Sequence, residues 1–132
     1  MDTFKTFKEL IETGIVAQGD LLIVRADLLP GEPDPSWEEV ISTTGSHIVA
    51  HSETGHHHVL RARGADSAPP ALFRDKGGDV VRSLLKIPAG SPAEIVHRRE
   101  SHTHGTILVP PGVWYLIRQQ RPTPEGWEIV TD

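Results

Sequence analysis

The sequence of 132 residues contains no cysteine. This absence excludes disulfides, thiolate zinc sites and cysteine nucleophiles together. A chain of this length can still bury a substantial core, and we predict a single β-rich domain over residues 1–132. Aromatic residues make up only 5% of the sequence, so this core must consist mainly of valine, isoleucine and leucine.

Long apolar runs are also absent. No run approaches the length of a membrane-spanning helix, and residues 1–10 carry charged side chains in place of the apolar centre of a signal peptide. We therefore expect a product made in the cytoplasm, with no membrane partner. The net charge of −5 with neutral histidines also argues against nucleic acid as a partner.

Recognisable catalytic motifs are missing as well. There is no glycine-rich phosphate loop, no Gly-x-Ser-x-Gly turn and no kinase motif. Four carboxylates lie in or beside a flexible proline-rich loop, which does not support a paired-carboxylate hydrolase: Glu32, Asp34, Glu38 and Glu39. These absences favour a protein that is not an enzyme.

Histidine is the residue that stands out, and its eight copies fall into two segments. Five lie within residues 47–58, and three lie within residues 97–104. Two histidine-rich strands could therefore be folded against each other. The first segment is typical of a β-hairpin, because β-forming residues accompany His47–His51 and His57–Leu60 and Gly55 between them can adopt positive φ.

The register of this hairpin decides which histidines meet. A two-residue loop, Thr54–Gly55, places Glu53 opposite His56 and His51 opposite His58, which gathers three imidazoles and a carboxylate on one surface. We favour this register. A three-residue loop beginning at Glu53 places His51 opposite His57 instead, because a shift by one residue exchanges the two faces of a strand.

Neutral imidazoles are common ligands of zinc, iron, nickel and copper, and suit magnesium or calcium poorly. The His-x-His spacing, which occurs in both segments, is a natural chelating unit on a strand. The sequence therefore predicts a transition-metal site, with no organic cofactor, at six residues: His51, His56, His58, His97, His102 and His104. Two alternatives are ordinary solvated histidines and a pH sensor whose protonation disrupts an interface.

The rest of the chain predicts a scaffold of short strands behind one helix. Apolar residues recur at helical spacing within residues 1–14, which favours a helix that docks on the core or an arm that docks on a neighbouring subunit. Residues 15–17 are expected to pair with the strand that follows Asp20, and residues 106–109 with 113–118 in a second hairpin around Pro110-Pro111-Gly112. We predict a mainly β fold, a small barrel or sandwich.

One set of residues resembles the metal motifs of cupins. Thr54-Gly55-His56-His57-His58 beside Glu53, followed by Pro88-Ala89-Gly90 and His97, resembles the cupin pattern of His-x-His, glutamate and a later histidine. The resemblance implies a metal-dependent enzyme built on a β-barrel. The glutamate expected a few residues after His-x-His is replaced by the run Leu60-Arg61-Ala62-Arg63.

A second resemblance covers more of the chain. Residues 18–23, 54–59, 108–114, 118–121 and 124–127 are similar to small uncharacterised β proteins of bacteria and tailed phages. The phage members resemble virion accessory proteins that decorate or cement a capsid. This resemblance implies a non-enzymatic module that forms homo-oligomers or joins a larger assembly, with a capsid protein as partner and the virion as its destination.

Overall fold

The computed structural model of the chain describes residues 3–18, 21–29, 37–42, 44–50, 57–64, 67–74, 82–99, 102–118, 120–123 and 126–129. At residues 3–4, 50, 57, 97–99, 102–105, 120–123 and 126–129 it describes the backbone alone. Within these residues the chain forms one α-helix and a series of short β-strands.

The helix α1 (Thr3–Thr13) comes first. The strands that follow are β1 (Ile15–Gln18), β2 (Leu21–Arg25), β3 (Glu38–Glu39), β4 (His47–Ala50), β5 (His57–Ala62), β6 (Ala71–Arg74), β7 (Arg82–Ile87), β8 (Ala93–Arg99), β9 (His102–Val109), β10 (Gly112–Arg118), β11 (Gln120–Thr123) and β12 (Gly126–Ile129). A 3₁₀ turn, Ala26–Leu28, follows β2.

The strands form two main antiparallel sheets. The larger sheet has the order β1-β2-β10-β7-β6-β3, the smaller has the order β4-β5-β8-β9, and β11 pairs with β12. One hydrophobic core contains buried residues of both main sheets, including Leu21, Ile23 and Leu85 of the larger and Leu60 and Ile95 of the smaller. The sheets do not close into a barrel over the described residues, so the mainly β prediction is confirmed in its sandwich form.

The predicted N-terminal helix is confirmed, and it packs on its own sandwich. Leu10 is fully buried in the core, while Ile11 on the other side of the helix is 54% exposed. Gly14 ends the helix with φ of 76°, and its N–H donates to the carbonyl of Leu10 at 3.0 Å. A side chain at this position would meet Cδ1 of Leu28 at 2.7 Å, so both backbone and space favour glycine. The helix lies against β9 and β1.

The prediction that residues 106–109 and 113–118 form a hairpin is wrong. β9 pairs with β8 in the smaller sheet, whereas β10 pairs with β2 and β7 in the larger one. Pro110 and Pro111 lack the N–H groups that a hairpin ladder would need at its turn. The chain instead crosses between sheets here, and the indole N–H of Trp114 donates to the carbonyl of Pro110 at 2.9 Å.

One other strand pairing predicted from the sequence agrees with the structure. β1 pairs with β2, as expected for residues 15–17. Trp37 packs edge to face on Tyr115, with ring centroids 6.4 Å apart. The proline-rich loop before it, residues 30–36, lies outside the described residues. Where the structure is described, no helix has the length and hydropathy that a membrane crossing requires.

Candidate functional site

The two histidine segments form neighbouring strands of the smaller sheet. The first segment supplies β4 and β5, the second supplies β8 and β9, and the strands lie in the order β4-β5-β8-β9. The approach of the two segments, which the sequence raised as a possibility, is therefore present in the backbone. β8 continues to Arg99 and β9 begins at His102, so the second segment is itself a pair of antiparallel strands.

The pairing register aligns three of the histidines. His58 on β5 is directly paired with His97 on β8. On the other side of β8, Val96 pairs with Thr106 and Arg98 pairs with Thr103. Two residues of β9, His104 and Gly105, therefore stand across from the single residue His97, which is the arrangement of a β-bulge. We call His58, His97 and His104 the histidine row.

His58 is the member of this row whose side chain is described, and it is only 1% exposed. Gln18, which is equally buried on β1, donates from Nε2 to the carbonyl of Ile95 at 3.0 Å. Its Oε1 then faces Nδ1 of His58 at 2.9 Å and can only accept a hydrogen bond. Nδ1 of His58 therefore donates to Gln18.

The favoured register of the first hairpin is wrong over the residues described. Ala50, and not His51, is the partner of His58, as the three-residue loop requires. An irregularity between Ile48 and Ala50 shifts the pairing by one residue, so the ladder that starts at the pair His47–Leu60 changes register before the turn.

The six predicted metal ligands have different outcomes. The backbone register places His58, His97 and His104 at neighbouring positions, and it pairs His102, the first residue of β9, with Arg99. The predicted ligands His51 and His56 lie outside the described residues. Among the side chains that the structure describes, which exclude those of residues 97–99 and 102–105, no three histidine, aspartate or glutamate groups form a metal-binding cluster.

His47 is a second buried histidine of the smaller sheet, 9% exposed, and the sequence did not single it out as a ligand. Burial lowers the pKa of His47, the Arg74 guanidinium lowers it further, and Glu39 opposes this shift. Arg74 itself donates to the carbonyl of Val49 at 2.8 Å and to Oγ of Ser83 at 3.0 Å. Arg74 thereby links the larger sheet to β4. Its positive charge also disfavours the protonated form of His47.

A groove opens beside His47, between the segment that follows β3 and the start of β4. Its volume is about 390 Å³, and its lining includes Val40, Ile41, His47, Ile48 and Leu72. Ile41 is 78% exposed and Ile48 is 42% exposed. We call this region the open-edge groove. Sequence reasoning missed it, although two isoleucines flanking the polar run from Ser42 to Ser46 were a signal.

Comparison with known proteins gives one match. A protein-family model described as a domain of unknown function, DUF8820, matches residues 17–120, a range that contains both histidine segments. No curated protein and no solved structure matches the chain.

Proposed function

The chain belongs to the DUF8820 family, and we propose that it is a non-enzymatic structural module that assembles with a second copy of itself through the open-edge groove. The two histidine segments, residues 47–58 and 97–104, have a supporting role in this proposal: they bind a transition-metal ion, such as zinc, iron, nickel or copper, that stabilises the module.

The exposure of Ile41 and Ile48 is the observation that carries the proposal. Two isoleucine side chains, 78% and 42% exposed, flank one groove at the edge of the sandwich. Burying apolar surface lowers the free energy by roughly 25 cal/mol for each Å² removed from water, so covering these side chains favours association. Exposed apolar surface that rims a groove marks an interaction site more often than scattered apolar residues do.

The charges of the two sheet edges favour a second copy as the occupant. At the β3 edge, the exposed carboxylates of Glu38 and Glu39 disfavour pairing with another strand. β4 contains no carboxylate, and within the described residues no strand pairs along its outer side. Two copies that each carry a net charge of −5 can approach along this uncharged strand with the least repulsion.

An antiparallel strand edge is also complementary to itself. Two β4 strands related by a two-fold axis can exchange backbone hydrogen bonds, and the same residues then contribute from both copies. In such a dimer, Ile48 of each copy would contact the partner near the groove. The same interface would then cover Ile41 as well as Ile48. Capsid decoration in a virion is the specific setting that the phage resemblance implies for such an oligomer.

One buried and one half-buried polar side chain of the described region support a structural role. Gln18 links β1 to His58 and to the backbone of β8, and Arg74 links β6 to the backbone of β4. Each connects the two sheets. A cupin-like enzyme has less support, because cupins hold their metal inside a barrel and the described sheets remain open.

The test is sedimentation equilibrium of the full chain at pH 7.5 over a wide range of concentrations. We expect a dimer whose dissociation constant rises at least about tenfold in the Ile41→Ser/Ile48→Ser variant. The matched control is Ile11→Ser/Ile15→Ser, which removes two isoleucines of similar exposure, 54% and 43%, outside the groove. A monomer at every concentration, or equal weakening by the control, would overturn the proposed assembly.

A further inference from the structure

The hydrogen bonds around β4 select one register for the pairing of two copies. We infer that Ile48 lies on the two-fold axis of the dimer, where its N–H and carbonyl bond the carbonyl and N–H of Ile48 in the second copy. Side chains of the same chain already bond the backbone on either side of Ile48, and they thereby fix the register. The inference rests on the dimer of the proposed function and names the residue at its centre.

The backbone before Ile48 is bonded by side chains of its own turn. The N–H of Ser46 donates to Oγ1 of Thr44 at 3.3 Å, and the carbonyl of Ser46 accepts from Oγ of Ser42 at 2.6 Å. Gly45, with φ of 79°, allows the chain to turn in this way. The two backbone groups of Ser46 are therefore not available to a strand of another molecule.

The backbone after Ile48 is bonded by a side chain of the larger sheet. The carbonyl of Val49 accepts from Nη2 of Arg74 at 2.8 Å, and Nε of Arg74 donates to Oγ of Ser83 at 3.0 Å. The irregularity of β4 lies at the same place, between Ile48 and Ala50. Bulges and inward-pointing charges are two ways in which proteins block an edge strand. A strand added along β4 therefore cannot continue past Ile48.

The backbone groups of Ile48 lie between these two bonded positions. On an antiparallel strand, the N–H and carbonyl groups of alternate residues point to the same side. Those of Ser46 bond its own turn and point away from β5, so those of Ile48, two residues further on, point to the outer side of β4. Over the part of the chain that the structure describes, no strand pairs along this side.

Two-fold symmetry allows this one residue to be used twice. With the axis at Ile48, the N–H of each copy donates to the carbonyl of the other, which forms one hydrogen-bonded pair of an antiparallel ladder. With the axis at His47, Ser46 of one copy would have to bond Ile48 of the other, although Ser46 already has its hydrogen bonds. The axis at Ile48 needs no group that is already bonded.

The side chain of Ile48 favours the same axis. It is 42% exposed and lies on β4 opposite Val59 of β5, which is half-buried. Directly opposed residues of neighbouring strands have Cβ atoms about 4.5–5.5 Å apart, so the two Ile48 side chains would touch across the axis. The pairs Val59–Ile48 of the two copies would then form one apolar row across four strands.

The absence of cysteine makes a crosslinking test specific. Under mild oxidation, Ile48→Cys should form a disulfide between copies, because opposed Cα atoms about 5.5 Å apart lie within the range of about 4.4–6.8 Å that disulfides span. Ser46→Cys and Val59→Cys are the matched controls in the same sheet. In this register each lies more than about 10 Å from its equivalent, so the yield should be at least about tenfold lower.

A second variant tests whether the turn fixes the register. Ser42→Ala/Thr44→Val releases the backbone groups of Ser46, so the axis should move to His47, where more hydrogen bonds form. The crosslink of Ile48→Cys should then fall at least about threefold, because a shift by one residue changes every pair. A mixture of Ser46→Cys and Ile48→Cys chains should crosslink in this background and not in the wild-type background.

The outcomes separate the register from the dimer itself. Sedimentation equilibrium of each reduced variant reports the dimer, and circular dichroism must show that the β fold is retained. A dimer that crosslinks at Ser46→Cys or Val59→Cys as readily as at Ile48→Cys, or at none of the three, would overturn the register and leave the proposed dimer. A wild-type chain that is monomeric at every concentration would overturn both.

Discussion

The two sides of the sandwich differ in how their edges are covered. On one side, α1 lies against β9 and β1, Leu10 is fully buried, and Gln18 joins β1 to the smaller sheet. On the other side, a groove lies between the segment that follows β3 and the start of β4, and Ile41 in its lining is 78% exposed. We call these the closed edge and the open edge. The contacts of the closed edge stabilise the fold, while the open edge is where we propose that a partner binds.

The same comparison separates two buried histidines of one sheet. His58 donates from Nδ1 to the amide oxygen of Gln18, which holds the orientation of its ring. His47 lies toward the open edge, where burial and the Arg74 guanidinium lower its pKa. Burial alone therefore does not assign a role to a histidine, because the neighbouring groups decide whether the ring is fixed by a hydrogen bond or disfavoured as a cation.

The largest expected effect comes from removing the anchor of the closed edge. Leu10→Ala deletes a fully buried side chain of α1 and leaves a cavity, so the free energy of unfolding should fall by about 2–5 kcal/mol. Denaturant unfolding measures the loss. Ile11→Ala on the exposed side of the helix should cost less than about 1 kcal/mol. Equal losses would show that the helix does not close this edge.

A smaller loss is expected when the polar link of the closed edge is removed. Gln18→Met keeps the length of the side chain but withdraws hydrogen bonds from His58 and from the carbonyl of Ile95, at a cost of about 1–3 kcal/mol. The double variant Gln18→Met/His58→Leu should lose less than the sum of the two single variants, because one interaction is removed in each. Additive losses in denaturant unfolding would contradict a direct link.

The smallest effect is a pH dependence at the open edge. The folded pKa of His47 lies below its unfolded value of about 6.5, so the unfolded chain binds the proton more strongly. The corresponding stability is complete above pH 6.5 and is lost as the pH falls toward the folded pKa. Thermal unfolding from pH 7.5 to 5 should therefore show a shallower decline in His47→Gln than in the wild type. Equal declines in the two proteins would show that His47 does not contribute to the pH dependence of stability.

Local elements were largely predictable because they depend on neighbouring residues. The spacing of Leu10 and its apolar neighbours predicted α1, and the β-forming residues around the histidines predicted β4 and β5. The partner of β9 was not predictable in the same way, because periodicity identifies a strand without identifying its neighbour. Pro110 and Pro111 did not decide between the two arrangements, because prolines are found both in turns and where a chain crosses between sheets.

The candidate site was predictable only in part. The chemistry of imidazole makes both histidine segments candidates for metal binding from the sequence alone. Gln18 escaped notice because it lies 40 residues before His58, and a single glutamine carries no pattern of its own. The open-edge groove was not predicted for a related reason: whether Ile41 is exposed depends on how distant elements of the chain pack around it.

By itself, the sequence determined the types of residue available: a core of aliphatic side chains, no thiols, one amphipathic helix and two segments rich in histidine. The tertiary structure decided which of these residues meet. Pairing between strands is set by contacts distant in sequence, and a shift by one residue exchanges the faces of a strand. Only the observed register and its bulge place His58, His97 and His104 in one row.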